Sequence, residues 1–303
     1  NHLPNDWKGG LLLLLGVFVL SALLDNIAAA VIGGVMARHV YKGRVSVGFL
    51  ASIVAAANAG GAGSVIGDTT TTIMWLKGVS PLHVLPAYVA SAAAFLVFGV
   101  FGALAQQRHQ PILAHDEPGH PIQWRRVAIV GVVLLSAIAA NVTANLLSPG
   151  EETAPWLGLA VWTALIVTSA AAKPDWAVMR PAAKGAIFLA CLVAAASLMP
   201  VNALPAASWR TTLGLGALSS VFDNIPLTAL ALEQGGYDWA MLAYAVGFGG
   251  SMIWFGSSAG VALTTLYPEG RSVLRWLKEG WHVPLAYLVG FFALLVLRGW
   301  QPG

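Results

Sequence analysis

The sequence predicts an all-α polytopic membrane protein built from two inverted repeats, and three observations support that prediction. Of the 303 residues, 57% are hydrophobic and only 10% are charged, whereas a soluble domain carries about 25% charged residues. Long segments almost free of charge recur along the whole chain, which favours membrane helices over strands with alternating polar residues. Short polar sequence motifs interrupt some of these segments, and these motifs occur twice in the same order.

In the first repeat, residues 1–106, we expect a re-entrant hairpin, a broken helix and a membrane span, at residues 11–37, 45–76 and 81–105. The apolar stretches on either side of Asp25 are each shorter than the roughly 20 residues that cross a bilayer. A single span with a buried Asp-Asn pair is the alternative. Glycines between Gly60 and Gly67 weaken the broken helix. Irregular backbone at membrane depth is tolerated only where it is buried or lines a wet cavity.

A polar, proline-rich stretch at 107–126 is expected to be a cytoplasmic linker, because its prolines favour irregular structure. In the second repeat, residues 127–303, we expect three spans, a hairpin, a broken helix and a final span, at 127–147, 156–172, 184–199, 209–232, 239–266 and 281–297. The first repeat has no counterpart of the three spans, so we expect it to be incomplete at its N-terminus.

Two repeated sequence motifs support a duplication of the hairpin and the broken helix. The motif around Asp25 recurs around Asp223, with Asn and Ile following in both copies, and residues 58–63 match residues 255–260 further along. Chance matching of short apolar motifs is the alternative, which two matches in the same order disfavour. Glycine-interrupted segments in corresponding positions of two halves are typical of a transporter binding site.

The basic residues predict the orientation. If both hairpins return to the side they enter from, nearly all Lys and Arg fall on one side of the membrane, and only Lys77, Arg210 and Arg298 fall on the other. By the positive-inside rule the basic side is cytoplasmic, so the two hairpins enter from opposite sides. We expect an integral protein of a bacterial inner membrane. The net charge of +3 then reflects topology and does not indicate nucleic-acid binding.

Three acids fall at the predicted membrane depth, where an ionisable group is a functional-site hypothesis by default. A lone buried carboxylate is unfavourable, so it holds either a proton or a cation such as Na⁺, and this exclusive binding is what an antiporter needs. The predicted binding residues are these acids with nearby glycines and oxygen-bearing side chains: Asp25, Asn26, Asn58, Gly60, Gly61, Ser64, Asp68, Thr69, Asp223, Asn224, Ser257 and Ser258. Na⁺ is expected at Asp25, Asn58 and Asp223, and no cofactor is expected.

These residues also have structural interpretations. The acids could be N-caps of the helices that follow them, a common role of Asp. The threonines at 69–72 could bond back to carbonyls of the preceding turn, and the glycines could allow close packing. Six of the 12 tryptophans fall at predicted span ends, as interfacial anchors do: Trp75, Trp156, Trp209, Trp239, Trp281 and Trp300. Trp254 lies inside the second broken helix and could face the site.

At these residues the chain resembles the NhaD-type sodium/proton antiporters of the ion transporter superfamily, which also includes arsenite pumps, P-protein-like carriers and citrate carriers. The resemblance lies in the motifs Asp25-Asn26 and Asp223-Asn224, in the glycine-rich stretch that ends at Asp68 and four threonines, and in Trp254-Phe-Gly-Ser-Ser-Ala-Gly. It implies inverted repeats, a site between hairpin tips and unwound segments, an elevator-like movement and often a homodimer. The residues after Asn26 depart from the hydroxyl-rich run expected there.

The leading hypothesis is a secondary transporter, not an enzyme, that exchanges Na⁺ or Li⁺ for H⁺. The alternative is a sodium- or proton-coupled carrier of an organic or inorganic anion. Acids at both hairpin tips would repel a dicarboxylate, which favours the cation. The expected partners are the lipid bilayer, small ions or a small anion, and a second copy of the chain. A membrane enzyme or channel has little support, because the spans lack a nucleophile–base pair or a metal-ligand set.

Overall fold

The computed structural model describes residues 3–112, 123–147, 156–174, 176–180 and 205–303, together with six isolated positions between 183 and 198. Within this part of the chain every regular element is a helix, as the sequence predicts. Most of the predicted span 184–199 and the middle of the predicted linker 107–126 lie outside the described residues.

The chain up to residue 112 forms the first group of helices. They are α1 (Trp7–Ser21), α2 (Asn26–Val40), α3 (Val47–Gly61), α4 (Thr69–Leu76), the short α5 (Pro81–Val84) and α6 (Ala87–His109). The predicted first hairpin corresponds to α1 and α2, and the predicted broken helix to α3 and α4. The predicted span corresponds to α5 and α6 together.

Further helices follow along the chain. They are α7 (Trp124–Leu147), α8 (Trp156–Ser169), α9 (Trp209–Leu218), α10 (Asn224–Gln234), α11 (Trp239–Gly249), α12 (Ser258–Leu266), α13 (Val273–Glu279) and α14 (His282–Arg298). Short 3₁₀ turns occur at Trp176–Val178 and Pro268–Arg271. The predicted second hairpin corresponds to α9 and α10, the second broken helix to α11 and α12, and the final span to α14.

The chain divides into two compact units. The larger contains Asn1–Trp75, Val79–Asp116 and Leu192–Gly303, and the smaller contains Leu76–Gly78 and Glu117–Cys191. In the smaller unit α7 and α8 pack against each other. All the candidate site residues belong to the larger unit. The division into two repeats stays a prediction.

Helices α3 and α11 form the centre of the larger unit. Every residue of α3 is buried, and so are residues 240–249 of α11. Helix α3 packs against α1, α2, α6 and α11, and its many Ala and Gly residues allow neighbouring helices to come close. Both central helices end inside the protein, so the polar residues that follow them are withdrawn from solvent.

The end of each central helix touches a hairpin helix closely. A Cβ atom at Gly60, near the end of α3, would lie 2.0 Å from the carbonyl oxygen of Phe18 on α1. A Cβ atom at Gly249, at the end of α11, would likewise lie 2.0 Å from the carbonyl oxygen of Gly216 on α9. Only glycine fits at either position, because a side chain would collide with backbone.

Serine hydroxyl groups connect hairpin and broken helix in the same way in both halves of the chain. Ser21, the last residue of α1, donates to the carbonyl of Ala57 in α3. Ser219, which follows α9, donates to the carbonyl of Val246 in α11 at 2.7 Å. Hairpin and broken helix therefore meet in the same way twice, although the inversion of one half relative to the other stays a prediction.

These contacts change the register of the second motif match, that of residues 58–63 with residues 255–260. The structure pairs Gly60 with Gly249, whereas the match of 58–63 with 255–260 pairs Gly60 with Ser257. The glycine pair follows the close backbone contact at the end of a helix. Residues 255–260 instead include the start of α12. The shared Ala-Gly pair therefore lies before the break residues of the first half, directly after α3, and after the break of the second half, within α12.

Helix lengths agree with a membrane protein that contains interrupted helices. Among the described residues, the helical stretch Pro81–His109 has the length and the mean hydropathy, 2.1, of a membrane-crossing helix. Helices α13 and α14 meet the same criteria together, with a bend of 62° between them. Helices α1 and α2 have 15 residues each, fewer than the roughly 20 that cross a bilayer. Their entry into the membrane from one side stays a prediction.

We expect Gly60→Ala to lower the free energy of unfolding by about 1–3 kcal/mol, because the new methyl group would meet backbone that cannot move aside. Gly16→Ala is the matched control on α1, since no atom outside its own helix backbone lies within 4 Å of the added Cβ. It should be neutral or slightly stabilising. Thermal unfolding of the purified variants in detergent measures both, and equal effects would contradict the packing role of Gly60.

Candidate functional site

Polar residues of the first hairpin tip and the first break meet inside the larger unit. Asn26, the first residue of α2, donates from Nδ2 to Asn58 Oδ1 at 3.0 Å and to Asp68 Oδ1 at 3.1 Å. Asn58 lies in the last turn of α3, and Asp68 directly precedes α4. The side chains are buried, with Asn58 0% and Asp68 1% exposed. One amide group therefore joins the hairpin tip to both sides of the break.

Asn58 extends this cluster into the second half of the chain. Its Nδ2 donates to Ser251 Oγ at 2.9 Å and to Ser257 Oγ at 3.2 Å. Ser251 lies in the break after α11, and Ser257 caps α12 by accepting a hydrogen bond from the Gly260 amide. The side chain of Asn58 thus bridges the two broken helices.

The second hairpin tip also reaches the first break. Asn224, the first residue of α10, donates from Nδ2 to Thr70 Oγ1 at 2.8 Å. Thr70 is buried in the first turn of α4. The asparagines of both hairpins therefore hold the segment around Asp68, and the predicted site residues of the two halves come together in one cluster.

Asp68 is the most enclosed acid of the cluster. Its Oδ1 accepts from Asn26, whereas its buried Oδ2 has no hydrogen-bond partner among the described residues. The hydroxyl and the amide of Thr70 lie beside this carboxylate, and Asp25 and Asp223 are the neighbouring acids. The Arg–carboxylate pairs seen in the described part lie elsewhere, within α13 and between α14 and the start of α11. None of these pairs neutralises the charge of Asp68.

Asp25 and Asp223 cap the second helix of each hairpin. Asp25 accepts a hydrogen bond from the Ile27 amide at 3.0 Å, and Asp223 accepts one from the Ile225 amide at 3.0 Å. Asp25 is exposed, and Asp223 is partly buried beside the hydroxyl of Ser258. The capping interpretation is confirmed for both acids, and their carboxylates lie at the edge of the buried cluster.

Other predicted site residues pack the break. Cβ atoms at Gly60 and Gly61 would collide with backbone of α1 and of Gly67, which confirms the close-packing interpretation. Ser64 Oγ donates at 2.7 Å to a carbonyl of the first hairpin turn. Thr69 begins α4, but the contact with the second half is made by its neighbour.

Back-bonding explains part of the threonine run. Thr71 Oγ1 donates to the carbonyls of Ser64 and Asp68, at 2.6 and 2.9 Å. Thr72 Oγ1 donates to the carbonyls of Val65 and Asp68, at 2.8 and 2.9 Å. These bonds satisfy backbone acceptors of the break, as the back-bonding interpretation predicts.

Two contributors to the cluster, Thr70 and Ser251, are not among the residues that the sequence predicts. Thr70 belongs to a run of four equal residues, and no local pattern separates it from its neighbours. Ser251 follows Gly249-Gly250, and the double glycine is the one signal that could have indicated it. Trp254 packs edge-on against Phe255 and has a buried Nε1 without a hydrogen-bond partner among the described residues.

The cluster offers carboxylate, amide and hydroxyl oxygens, which are the ligands of small hard cations. In the part of the chain that the structure describes, no group of three or more His, Cys, Asp and Glu side chains could hold a metal ion. The arrangement suits a proton or one small cation bound reversibly at a single carboxylate.

Comparison with known proteins places this cluster in a family. A family model described as citrate transporter, CitMHS, matches residues 7–249, a stretch that includes both hairpins and the first break. Sodium/proton antiporter 1 of Arabidopsis thaliana is 30% identical over 285 residues, which cover 81% of this chain and 48% of that protein. The Na(+)/H(+) antiporter NhaD of Vibrio cholerae is 26% identical over 327 residues, which cover 93% of this chain and 68% of that protein.

The chain spans about half the length of the Arabidopsis relative. The NhaD antiporter of Vibrio parahaemolyticus is 27% identical over 308 residues, which cover 85% of this chain and 72% of that protein. These relatives and the family are membrane transporters and not enzymes. The chain therefore belongs to the citrate transporter family of secondary transporters, in agreement with its resemblance to the NhaD-type members of the ion transporter superfamily.

Proposed function

We propose that the protein exchanges Na⁺ or Li⁺ for H⁺ across a membrane, the activity that the names of its antiporter relatives give to those proteins. The observation that carries the proposal is Asp68, a buried carboxylate with one oxygen free of hydrogen bonds among the described residues. A buried charge of this kind is unfavourable unless a proton or a cation neutralises it. Because both would occupy the same oxygen, binding of one releases the other.

The helix ends at the cluster favour a cation over an anion. An anionic substrate is attracted to the positive end of a helix, which is its N-terminus. Here the N-termini of α2 and α10 are capped by Asp25 and Asp223, and α4 begins directly after Asp68. Carboxylates of the chain thus take the positions that a substrate carboxylate would need. The C-termini of α3 and α11 add negative ends that attract a cation.

In this proposal Asp68 binds the cation, and neutral oxygens complete its shell. The amide oxygen of Asn58 accepts one hydrogen bond, from Asn26, and so keeps a lone pair for an ion. The hydroxyls of Ser251 and Ser257 lie on the other side of the same amide. Asp25 and Asp223 are the less enclosed acids and attract ions towards the cluster from the two hairpin tips.

The second candidate is a sodium- or proton-coupled carrier of an anion such as citrate. One feature favours it: the N-cap of α12 is Ser257, whose neutral side chain leaves that helix N-terminus without a carboxylate. The family description also names citrate. The three acids count against it, because a dianion would meet their repulsion unless protons or cations had neutralised them first.

We further propose alternating access of the elevator type, in a homodimer within a bacterial inner membrane and with the basic loops in the cytoplasm. The matched contacts of α1 with α3 and of α9 with α11 support two similar half-sites around one cluster. Each hairpin then acts as a gate. Loss of the Asn26 contacts would open the cluster towards one side, and loss of the Asn224 contact would open it towards the other.

Removal of the charges tests the proposal. Asp68→Asn should abolish Na⁺-dependent proton flux of the full protein in proteoliposomes, because an amide has no charge for Na⁺ or H⁺ to neutralise. Asp25→Asn and Asp223→Asn should abolish it too. Asn is a good N-cap, so loss of flux in these two variants reports the charge and not the cap.

Asp6→Asn is the matched control. Asp6 caps α1 at its exposed end, where it accepts from the Lys8 amide at 2.9 Å, and its variant should keep wild-type flux. Wild-type flux in Asp68→Asn would refute a carboxylate-based exchange. Transport driven by citrate or succinate gradients without Na⁺-for-H⁺ exchange would instead support the anion carrier.

Competition between Na⁺ and H⁺ predicts a pH dependence of known sign. A fall in pH raises proton occupancy of Asp68, so the apparent KM for Na⁺ should rise, approaching about tenfold per pH unit where the protonated form dominates. The maximal rate at saturating Na⁺ should change much less. Initial rates measured with a pH-sensitive dye over a range of Na⁺ concentrations give both values. A constant KM with a falling maximal rate would contradict competition.

A further inference from the structure

Helix α13 contacts the second break through a buried tryptophan. The indole Nε1 of Trp276 donates a hydrogen bond to the backbone carbonyl of Ser251 at 3.2 Å. Trp276 is 1% exposed, whereas the other residues of α13 are exposed or partly buried. Ser251 is buried just after the end of α11, where carbonyl groups lack partners within the helix. The indole N–H therefore satisfies a buried acceptor of the second break.

The side chain of the same serine orients Asn58. The Oγ atoms of Ser251 and Ser257 accept the two hydrogen bonds that the Asn58 amide nitrogen donates. The amide oxygen of Asn58 consequently points the other way, where it accepts from Asn26. If Ser251 shifted, one N–H of this buried amide would lose its partner, which is unfavourable. The position of Ser251 thus decides how firmly the Asn58 oxygen is held in the cluster.

The residue of the first half that corresponds to Ser251 lacks a hydroxyl. Since the contacts pair Gly60 with Gly249, the residues two positions further on are Ala62 and Ser251. The hydroxyl that orients Asn58 at this position thus comes from the second half, and an indole from a separate helix holds the residue that carries it.

Helix α13 is itself fastened to the start of α3. Glu279 Oε2 accepts a hydrogen bond from the Val47 amide at 3.2 Å. A Cβ atom at Gly48 would lie 2.5 Å from the Glu279 carbonyl oxygen, so the two backbones are in close contact. Val47 begins the helix whose last turn carries Asn58. Helix α13 therefore joins the start of one broken helix to the break of the other.

We propose that Trp276 is a positioning residue for cation binding, because its hold on Ser251 keeps the Asn58 amide oxygen directed into the cluster. The inference rests on the proposed cation exchange and adds to it a residue that lies outside the predicted site. Trp276 acts through Ser251 and Asn58. Loss of its N–H should therefore weaken cation binding and leave the later steps of transport unchanged.

Trp276→Phe keeps an aromatic ring and removes the N–H. In proteoliposomes with the full protein, the apparent KM for Na⁺ should rise about fivefold, the effect of losing one neutral hydrogen bond, while kcat stays close to the wild-type value. Trp281→Phe is the matched control, since Trp281 is 50% exposed at the start of α14, and it should keep the wild-type KM. A fall in kcat with an unchanged KM in Trp276→Phe would indicate a structural role only and would overturn the inference.

A double-mutant cycle distinguishes action through Ser251 from a general loss of packing. Ser251→Ala alone should also raise the KM for Na⁺. Once the hydroxyl is absent, the position of residue 251 no longer orients Asn58, so adding Trp276→Phe should raise the KM no further. Independent structural effects would instead multiply, and multiplied effects would contradict the inference.

A second replacement decides the matter if Trp276→Phe does not fold. Incorporation of 3-benzothienylalanine at position 276 by nonsense suppression keeps the shape of tryptophan and puts sulfur in place of the N–H. It should raise the KM for Na⁺ as Trp276→Phe does, and a wild-type KM would refute the role of Trp276. Absence of Na⁺-dependent proton flux in the wild type would instead refute the proposed function itself.

Discussion

A carboxylate enclosed by protein, with no hydrogen bond to one oxygen among the described residues, constrains the larger unit. Separate elements meet at Asp68: Asn26 from a hairpin tip donates to its carboxylate, and Asn58 from the end of a central helix accepts from the same Asn26 amide. Side chains of one continuous helix could not converge in this way, because they point outwards around its axis. The interruption after α3 is therefore a requirement of the cluster.

Ending a helix inside a protein leaves carbonyl groups without intrahelical partners, and each unsatisfied buried group costs about 1–3 kcal/mol. The larger unit satisfies some of these acceptors with hydroxyl donors. Ser219 donates to the Val246 carbonyl in the last turn of α11, and Tyr88 donates to the Gly60 carbonyl near the end of α3 at 3.0 Å. These bonds stabilise the helix ends without any cargo. Asp68 Oδ2 is left without such a partner, which is what a reversible binding position needs.

Local chemistry made much of this structure predictable from the sequence. Asp caps and glycines have strong, short-range effects, so the hairpin turns and both breaks fall where the sequence indicates them. What depends on long-range packing was not predictable. The sequence treats Asp25, Asp68 and Asp223 alike, and only the fold encloses the second of them. Thr70 belongs to the cluster because Asn224, which is distant in sequence, donates to it. Gly60 corresponds to Gly249 because each lies against the backbone of a hairpin helix, a contact that the sequence alone does not encode.

The two halves of the cluster correspond in backbone and differ in charge. A Cβ at Gly61 would meet the Gly67 carbonyl and the Cβ of Asp68, while one at Gly250 would meet the Gly256 carbonyl and the Cβ of Ser257. Ser257 thus stands where the first half has its acid.

Two facing carboxylates would repel each other strongly, by about 4 kcal/mol at 4 Å with an effective dielectric constant of 20. With Ser257 in the second half, the core of the cluster has one charge. A single proton or a single monovalent cation neutralises that charge, so the loss of strict symmetry between the halves is what makes a one-for-one exchange at Asp68 physically reasonable.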